Sequence, residues 1–123
     1  MTLKETIAMV EAFHNAFGIE NRHKPTAELS KAQQELRYRL MAEENDEYLE
    51  AVKNNDLVEI ADALGDQLYI LCGTILKHGL QDKIAAVFKE IQRSNMSKLD
   101  ADGKVMKSDL YFKPDIKTII EKS

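Results

Sequence analysis

Apolar residues recur at helical spacing along most of the chain, and the breaks in that spacing divide it into four main helices. We expect these helices over about residues 2–17, 26–53, 56–78 and 82–97. Gly18 and Pro25 interrupt the first connection, and an Asn-Asn pair makes a short second one. Short connections between amphipathic helices predict antiparallel neighbours.

Polar residues that can cap helices stand where the apolar spacing begins. Thr26 or Ser30 is suited to cap the second helix. Asp56 is suited to cap the third, and Glu59 three residues later completes the pattern of a capping box. We expect Gly79 to end the third helix and Asp82 to start the fourth.

The segment after Lys98 lacks a helical period. It contains an Asp102–Gly103 pair typical of a tight turn, so we expect a loop with a small hairpin. A short last helix is expected to start near Pro114–Asp115. These elements predict an all-α fold, an antiparallel four-helix bundle with an irregular C-terminal loop and a short last helix, in one domain over residues 1–123.

Composition fits this picture and excludes several functions. The 123 residues are 44% hydrophobic and include no Trp, so Leu, Ile, Ala and Met must fill the core, which suits helices. A net charge of −4 argues against a nucleic-acid polymer as partner. The single cysteine, Cys72, lies in an apolar helical stretch and is expected to be a buried small hydrophobe.

The hydropathy pattern also argues against a membrane partner. No stretch approaches the roughly 20 apolar residues that a spanning helix needs. The N-terminal segment MTLKETIAMVEAF carries acidic residues through its apolar part, unlike a signal peptide. We therefore expect a cytoplasmic protein.

The second helix contains an unusual run of acids, in the stretch RLMAEENDEYLEA. An apolar stripe precedes it, formed by Leu29, Leu36 and Leu40. Successive helical residues turn by about 100°, so Glu43 and Glu47 continue that stripe to within about 20–40°. Glu44 lies about 80° to one side, while Asp46 and Glu50 fall on the other flank and are expected to be solvated. Acids in a core-facing row are costly unless their charge is compensated.

The third helix carries a second acidic stripe, formed by Glu59, Asp62 and Asp66 at spacing i, i+3 and i+7. The opposite face is apolar and consists of Leu57, Ile60, Leu64, Leu68, Leu71 and Ile75. The flanks of the acidic stripe are also fairly apolar, so we expect this helix to lie inside the fold.

In an antiparallel helix pair, residues equidistant from the turn lie at the same height. Glu47 and Glu59 mirror one another about Lys53, and so do Glu44 and Asp62, so four carboxylates converge. Like charges four residues apart oppose helix stability by about 0.2–0.5 kcal/mol per pair. Mg²⁺ or Mn²⁺ prefers carboxylate oxygens and would relieve this repulsion. We therefore favour a metal site over the alternative, a solvated acidic face.

The two acidic segments, EENDE and EIAD, match the pattern EExxE…ExxD. The motif acids are Glu43, Glu44, Glu47, Glu59 and Asp62. With the segments RSNMSKLDADGK and YFKPDI, they resemble the all-α nucleoside triphosphate pyrophosphohydrolases, the MazG-like group that includes phosphoribosyl-ATP pyrophosphohydrolase and dimeric dUTPases. The resemblance covers most of the chain, about residues 13–116, and is strongest to the smaller, single-domain members.

The resemblance implies hydrolysis of a nucleoside triphosphate between its α and β phosphates, giving a monophosphate and pyrophosphate, with Mg²⁺ (or Mn²⁺) among the motif acids. The metal ligands it implies are Glu44, Glu47, Glu59 and Asp62. Glu43 would be a further ligand or the base that activates water. Asn95 and Lys98, from the NMSK segment, would reach phosphates or sugar. Asp66, matched by geometry more than by the motif, is a weaker candidate that we group with these substrate-binding residues.

The resemblance leaves the substrate open among the common dNTPs, dUTP, damaged nucleotides and phosphoribosyl-ATP. It favours house-cleaning of the nucleotide pool over the phosphoribosyl-ATP pathway enzyme. It also implies a homodimer or homotetramer, because one short chain leaves the cleft open. The alternative function is a non-catalytic helical interaction or nucleotide-binding module, although no motif acid is lost. A di-iron bundle is disfavoured, since no His follows the acids at Glu-x-x-His spacing.

Other side chains near the motif carry less specific expectations. Arg37 and Arg39 are expected to pair with neighbouring acids rather than to contact substrate. A nucleobase needs an apolar or stacking wall. Four aromatic side chains are candidates for that wall, namely Phe13, Phe17, Tyr69 and Tyr111.

Overall fold

The computed structural model describes residues 1–98 and 111–122, which form five helices. They are α1 (Leu3–Ala16), α2 (Lys31–Lys53), α3 (Leu57–Lys77), α4 (Ile84–Met96) and α5 (Ile116–Glu121). The predicted all-α class is confirmed, with four long helices and a short last one, consistent with a helical bundle. The predicted C-terminal loop and its Asp102–Gly103 turn lie outside the described residues.

Most helix starts follow the capping signals in the sequence. The side chains of Ser30 and Asp56 accept backbone hydrogen bonds of 3.2 and 3.1 Å at the starts of α2 and α3. The start of α4 differs, because residues 81–83 form a turn and the helix begins only at Ile84. The expected opening of α4 at Asp82 is therefore wrong by two residues.

The chain divides into two compact units, Met1–Gln81 and Asp82–Ser123. In the first unit, α3 packs against both α1 and α2, and its contact with α2 is the more extensive. In the second unit, α4 packs against α5. The single domain expected over residues 1–123 stays a prediction.

The buried apolar core of the described residues is small. It consists of Ile7, Val10, Ala51, Ala63, Cys72, Ile75 and Leu76. Cys72 is fully buried, as predicted, and burial raises the pKa of its thiol. The leucine stripe of α3 belongs to this core only at its C-terminal end, since Leu64, Leu68 and Leu71 are 49%, 46% and 48% exposed. The expectation that α3 lies inside is wrong for this face in a single chain.

The α2–α3 hairpin is antiparallel and is centred near Asp56, three residues beyond Lys53. Asn45 and Gln67 each lie eleven residues from Asp56, and their side chains share a hydrogen bond of 3.2 Å across the hairpin. The predicted mirror point at Lys53 is therefore too early. The difference of three residues decides which acids of α3 face those of α2.

The connection between α1 and α2 is tied to the C-terminal end of α3. The backbone N–H of Arg22 donates to the carbonyl of Leu76 at 2.9 Å. Gly79 has a positive φ of 66°, and a Cβ there would collide with the carbonyl of Lys24. These contacts fix the connection as one wall of the first unit.

Candidate active site

Three carboxylates converge between α2 and α3. Oxygen atoms of Glu44, Glu47 and Asp66 all lie within 4.8 Å of one another. Because the hairpin is centred near Asp56, Asp66 lies level with the interval between Glu44 and Glu47. Asp66, the weaker candidate in the sequence analysis, thus lies together with Glu44 and Glu47. We call these three residues the carboxylate cluster.

Burial and like charge raise the pKa values of two acids in the carboxylate cluster. The pKa of Glu44 is raised to about 7, first by burial, then by its hydrogen bond to Glu47 and by neighbouring charges that include Asp66 and Asp62. The pKa of Asp66 is also raised, first by burial and then by the charges of Asp62 and Glu47.

One atom of the cluster lacks a partner. Oε2 of Glu44 is buried and has no hydrogen bond among the described residues. A buried carboxylate oxygen without a donor, surrounded by other carboxylates, costs free energy. A hard divalent cation would satisfy it, because such ions prefer carboxylate oxygens. The donor set and the unpartnered oxygen therefore fit a divalent metal.

The two acids of the ExxD segment lie on the turn side of the carboxylate cluster. Asp62 is near enough that its charge raises the pKa of both Glu44 and Asp66. Glu59 lines a small cavity of about 220 Å³ together with Glu47. The later centre of the hairpin explains this placement, since it moves every acid of α3 toward the turn relative to the predicted register.

Glu43 lies outside the carboxylate cluster. Its side chain is 58% exposed, and its Oε1 lies 3.7 Å from Nε of Arg39 one turn earlier. The expectation that Glu43 faces inward along the leucine stripe is therefore wrong in this structure, because the side chain lies on the exposed side with its cationic neighbour. The expected pairing of Arg39 with an acid is confirmed.

Asn95 and Lys98 belong to the second unit, at the end of α4 and just beyond it. Nζ of Lys98 lies 5.7 Å from the centroid of the Tyr111 ring. The hydroxyl of Ser94 donates to the carbonyl of Phe112 at 2.8 Å, which joins the segment before α5 to α4. The approach of Asn95 and Lys98 to the substrate stays a prediction.

A larger cavity of about 720 Å³ lies in the first unit, between α1, α2, α3 and the α1–α2 connection. The predicted leucine stripe lines it, with Leu36 and Leu40 on α2 and Leu29 just before the helix. Phe13 and Tyr69 also line it, and their rings meet edge to face with centroids 5.7 Å apart. Two of the four aromatic candidates for a stacking wall therefore border this cavity, which we call the α1–α3 cavity.

Arg37 departs from the expectation that it pairs with an acid. Its Nε donates to Oγ1 of Thr74 at 3.1 Å, and its Nη2 donates to the carbonyl of Ile70 at 2.8 Å. It forms no ion pair with the residues that the structure describes, and burial lowers its pKa. A Cβ on Gly73 would lie 2.6 Å from Nη2. The sequence feature that could have indicated this close approach is a glycine inside an apolar helix.

Comparison with known proteins gives one family. The family model of phosphoribosyl-ATP pyrophosphohydrolase matches residues 10–95, most of the chain, including the whole α2–α3 hairpin and its acids. A search of curated proteins finds no match. In the described residues, no helix is both long and apolar enough to span a membrane.

The family match defines the activity in broad terms. Its members are pyrophosphohydrolases, hydrolases that act on acid anhydrides, with a nucleotide-like substrate. MazG-like pyrophosphohydrolases generally depend on divalent metals, and the carboxylate cluster lies within the matched range. The chain therefore belongs to the phosphoribosyl-ATP pyrophosphohydrolase family, within the MazG-like nucleoside triphosphate pyrophosphohydrolase superfamily.

Proposed function

We propose that this protein hydrolyses a (deoxy)nucleoside triphosphate between the α and β phosphates, giving a monophosphate and pyrophosphate, in house-cleaning of the nucleotide pool. The observation that carries this proposal is the convergence of Glu44, Glu47 and Asp66 within the range matched by a pyrophosphohydrolase family. Such a cluster opposes folding on its own, so its presence favours a role with cations and phosphates.

Mg²⁺, with Mn²⁺ as the alternative, is the proposed cofactor. The motif assigns its ligands to Glu44, Glu47, Glu59 and Asp62, and the geometry of the carboxylate cluster adds Asp66. When bound, such an ion lowers the pKa of a coordinated water and neutralises charge on the leaving pyrophosphate. The unpartnered Oε2 of Glu44 supports this assignment.

The chain's own residues would manage the proton of the attacking water. Water attacks Pα, the bond from Pα to the bridging oxygen breaks, and a carboxylate takes the proton. Glu43 is the proposed base or a further ligand. In either role its side chain would leave Arg39 and turn toward the substrate phosphates. Glu44 and Glu47, whose oxygens lie close together in the carboxylate cluster, are the other carboxylates near enough to accept that proton. Asn95 and Lys98 are proposed to bind phosphates or sugar.

We also propose a homodimer, or a homotetramer built from such dimers. An exposed apolar surface, the outer hairpin face, runs along α2 and α3 and consists of Tyr38, Met41, Leu64, Leu68 and Leu71. A 23-residue helix is roughly 35 Å long, and two helices side by side offer roughly 700 Å². That area is close to the roughly 800 Å² per partner of a standard interface. A second copy of the chain fits it, because the face would complete a four-helix arrangement.

The proposed substrates are the common dNTPs, dUTP and damaged nucleotides. Phosphoribosyl-ATP is the second candidate, because the matched family carries its name. The test is a screen of these triphosphates with Mg²⁺ or Mn²⁺, following pyrophosphate and orthophosphate separately. Release of pyrophosphate from at least one of them is expected. No release from any would overturn the proposal, and orthophosphate in place of pyrophosphate would move cleavage to the γ phosphate.

A further inference from the structure

We infer that the α1–α3 cavity is a nucleobase pocket, and that Arg37 and Lys77 make it selective for bases with carbonyl oxygens at their outer edge, namely uracil, thymine and guanine. The inference rests on the proposed function and names the class of substrate that the site prefers. It follows from the position of the cavity, from two buried cations in its wall and from the fixed geometry of those cations.

The α1–α3 cavity begins beside the carboxylate cluster. Leu40, in its wall, lies one turn before Glu44, and Tyr69 lies three residues after Asp66. From Tyr69 the wall continues along α3 to Lys77, roughly 12 Å further at the rise of a helix. A nucleotide whose phosphates lie at the acids therefore has room for its sugar and base in this cavity, with Tyr69 at the near end.

Two cations are buried in the wall of the cavity. Arg37 is 8% exposed and Lys77 is 4% exposed. Neither forms an ion pair among the residues that the structure describes. Burial lowers the pKa of both groups. The charge of Glu20 acts on Lys77, but this carboxylate is itself paired with Arg22. The wall therefore keeps an excess of cationic charge, and a ligand with electron-rich acceptors would stabilise it.

The cationic side chains make the wall mainly a donor of hydrogen bonds, because the carboxylate of Glu20 in the same wall is already paired with Arg22. The guanidinium of Arg37 carries five N–H groups, and the described bonds to Thr74 and Ile70 use two. The ammonium of Lys77 carries three, and its bond of 2.6 Å to the carbonyl of Glu20 uses one. Carbonyl oxygens of uracil, thymine and guanine accept such bonds. At the exocyclic position where these bases have a carbonyl, cytosine and adenine have an amino group, which is a donor and would meet further donors here.

The donors cannot easily withdraw from an unsuitable base. Arg37 is held by its two bonds to α3 and lies against Gly73. The ring of His14 lies against Gly73 on the same side, where a Cβ would be 3.1 Å from its Nε2, and its Nδ1 is 2.6 Å from Oδ1 of Asn21. A preorganised polar group left without its partner penalises the wrong ligand. Selectivity therefore follows from rigidity as well as from charge.

Steady-state pyrophosphate release from dUTP and dCTP, with Mg²⁺ and unmodified protein, tests this inference. The two substrates differ only at the ring edge, where uracil has a carbonyl and N–H and cytosine has an amino group and a bare nitrogen. We expect kcat/KM for dUTP to exceed that for dCTP by about tenfold or more. A kcat/KM for dCTP equal to or above that for dUTP would overturn this inference while leaving the proposed function standing. No release from any triphosphate would overturn both.

Variants locate the selectivity in the two cations. Arg37→Met and Lys77→Met remove donors while keeping an unbranched side chain, and each is expected to bring the dUTP to dCTP ratio toward one. Lys4→Met, at an exposed position on α1, is the matched control and should keep the ratio of the unmodified protein. Circular dichroism identifies any variant that does not fold, and the Lys77 variant serves if the Arg37 variant does not. An unchanged ratio in a folded variant of either residue would overturn the assignment.

Discussion

Glu44 of α2 and Asp66 of α3 bring carboxylate oxygens within 4.8 Å of each other. The two residues are 22 positions apart in the chain, and the antiparallel hairpin places them at nearly the same height. Two like charges at this distance repel, and Glu47 adds a third. The hairpin therefore holds a site that opposes its own stability until protons or cations neutralise it.

The pH dependence of stability should show this repulsion. The pKa of Glu44 is raised from its ordinary 4.5 to about 7, so the folded state keeps a proton that the unfolded state has lost in this range. The stabilising contribution of that proton is full below 4.5 and is lost as the pH rises through about 7. Urea unfolding of the metal-free protein should give a lower free energy of unfolding at about pH 8 than at about pH 5.

Glu44→Gln provides the control for this pH dependence. The amide cannot titrate, so the decrease in unfolding free energy between the two pH values should become smaller. An equally large decrease in the variant would assign the pH dependence to other groups.

Asp66→Asn should separate stability from metal binding. Removing one charge of the carboxylate cluster should raise the free energy of unfolding without metal by about 0.5 kcal/mol, because it relieves like-charge repulsion. The same change should weaken Mn²⁺ binding, followed by calorimetry. Asp46→Asn, an exposed neighbour on α2, should change neither quantity appreciably. Unaltered Mn²⁺ affinity in Asp66→Asn would place the ion elsewhere.

Two glycines of α3 offer a matched pair for the packing of Arg37. A Cβ on Gly73 would lie 2.6 Å from Nη2 of Arg37, whereas a Cβ on Gly65 has nothing within 4 Å beyond its own helix. Gly73→Ala should therefore destabilise the fold by about 1–3 kcal/mol, since Arg37 must move. Gly65→Ala should stabilise it by about 0.5–1 kcal/mol through helix propensity. Thermal unfolding of the two variants checks the opposite signs, and equal effects would contradict the described contact.

The outer hairpin face should control the oligomeric state. Sedimentation of the unmodified protein should give a dimer or a tetramer. Replacing Leu68 and Leu71 together by Lys should shift it toward monomer, because charges would enter an apolar interface. Met9→Lys is the control, because Met9 is an exposed apolar residue on α1, outside this face. A double variant that keeps the full oligomer would exclude this face as the interface.

Local signals in the sequence predicted the helices well. Capping depends on residues three positions apart, so Ser30 and Asp56 mark helix starts without knowledge of the tertiary structure. The start of α4 was predicted two residues too early, because no side chain caps it. The periodic leucines of α3 likewise identified an apolar face, but periodicity does not state what covers that face.

The candidate site depended on the register of the hairpin, which the sequence sets only to within a few residues. The turn extends to Asp56, and Asn55 within it has a positive φ of 54°. That extension moved Asp66 into the carboxylate cluster and left Glu43 beside Arg39. Individual charges within an acidic run cannot be assigned to a face until this register is known.

The most direct test of the central claim, that the acids between α2 and α3 carry the hydrolysis, is pyrophosphate release by Glu47→Gln beside Asp46→Asn. Both changes neutralise one acid of α2, but only Glu47 belongs to the carboxylate cluster. With Mg²⁺ and the best triphosphate of the screen, Glu47→Gln should abolish pyrophosphate release while Asp46→Asn retains it. Full activity in folded Glu47→Gln would contradict the account.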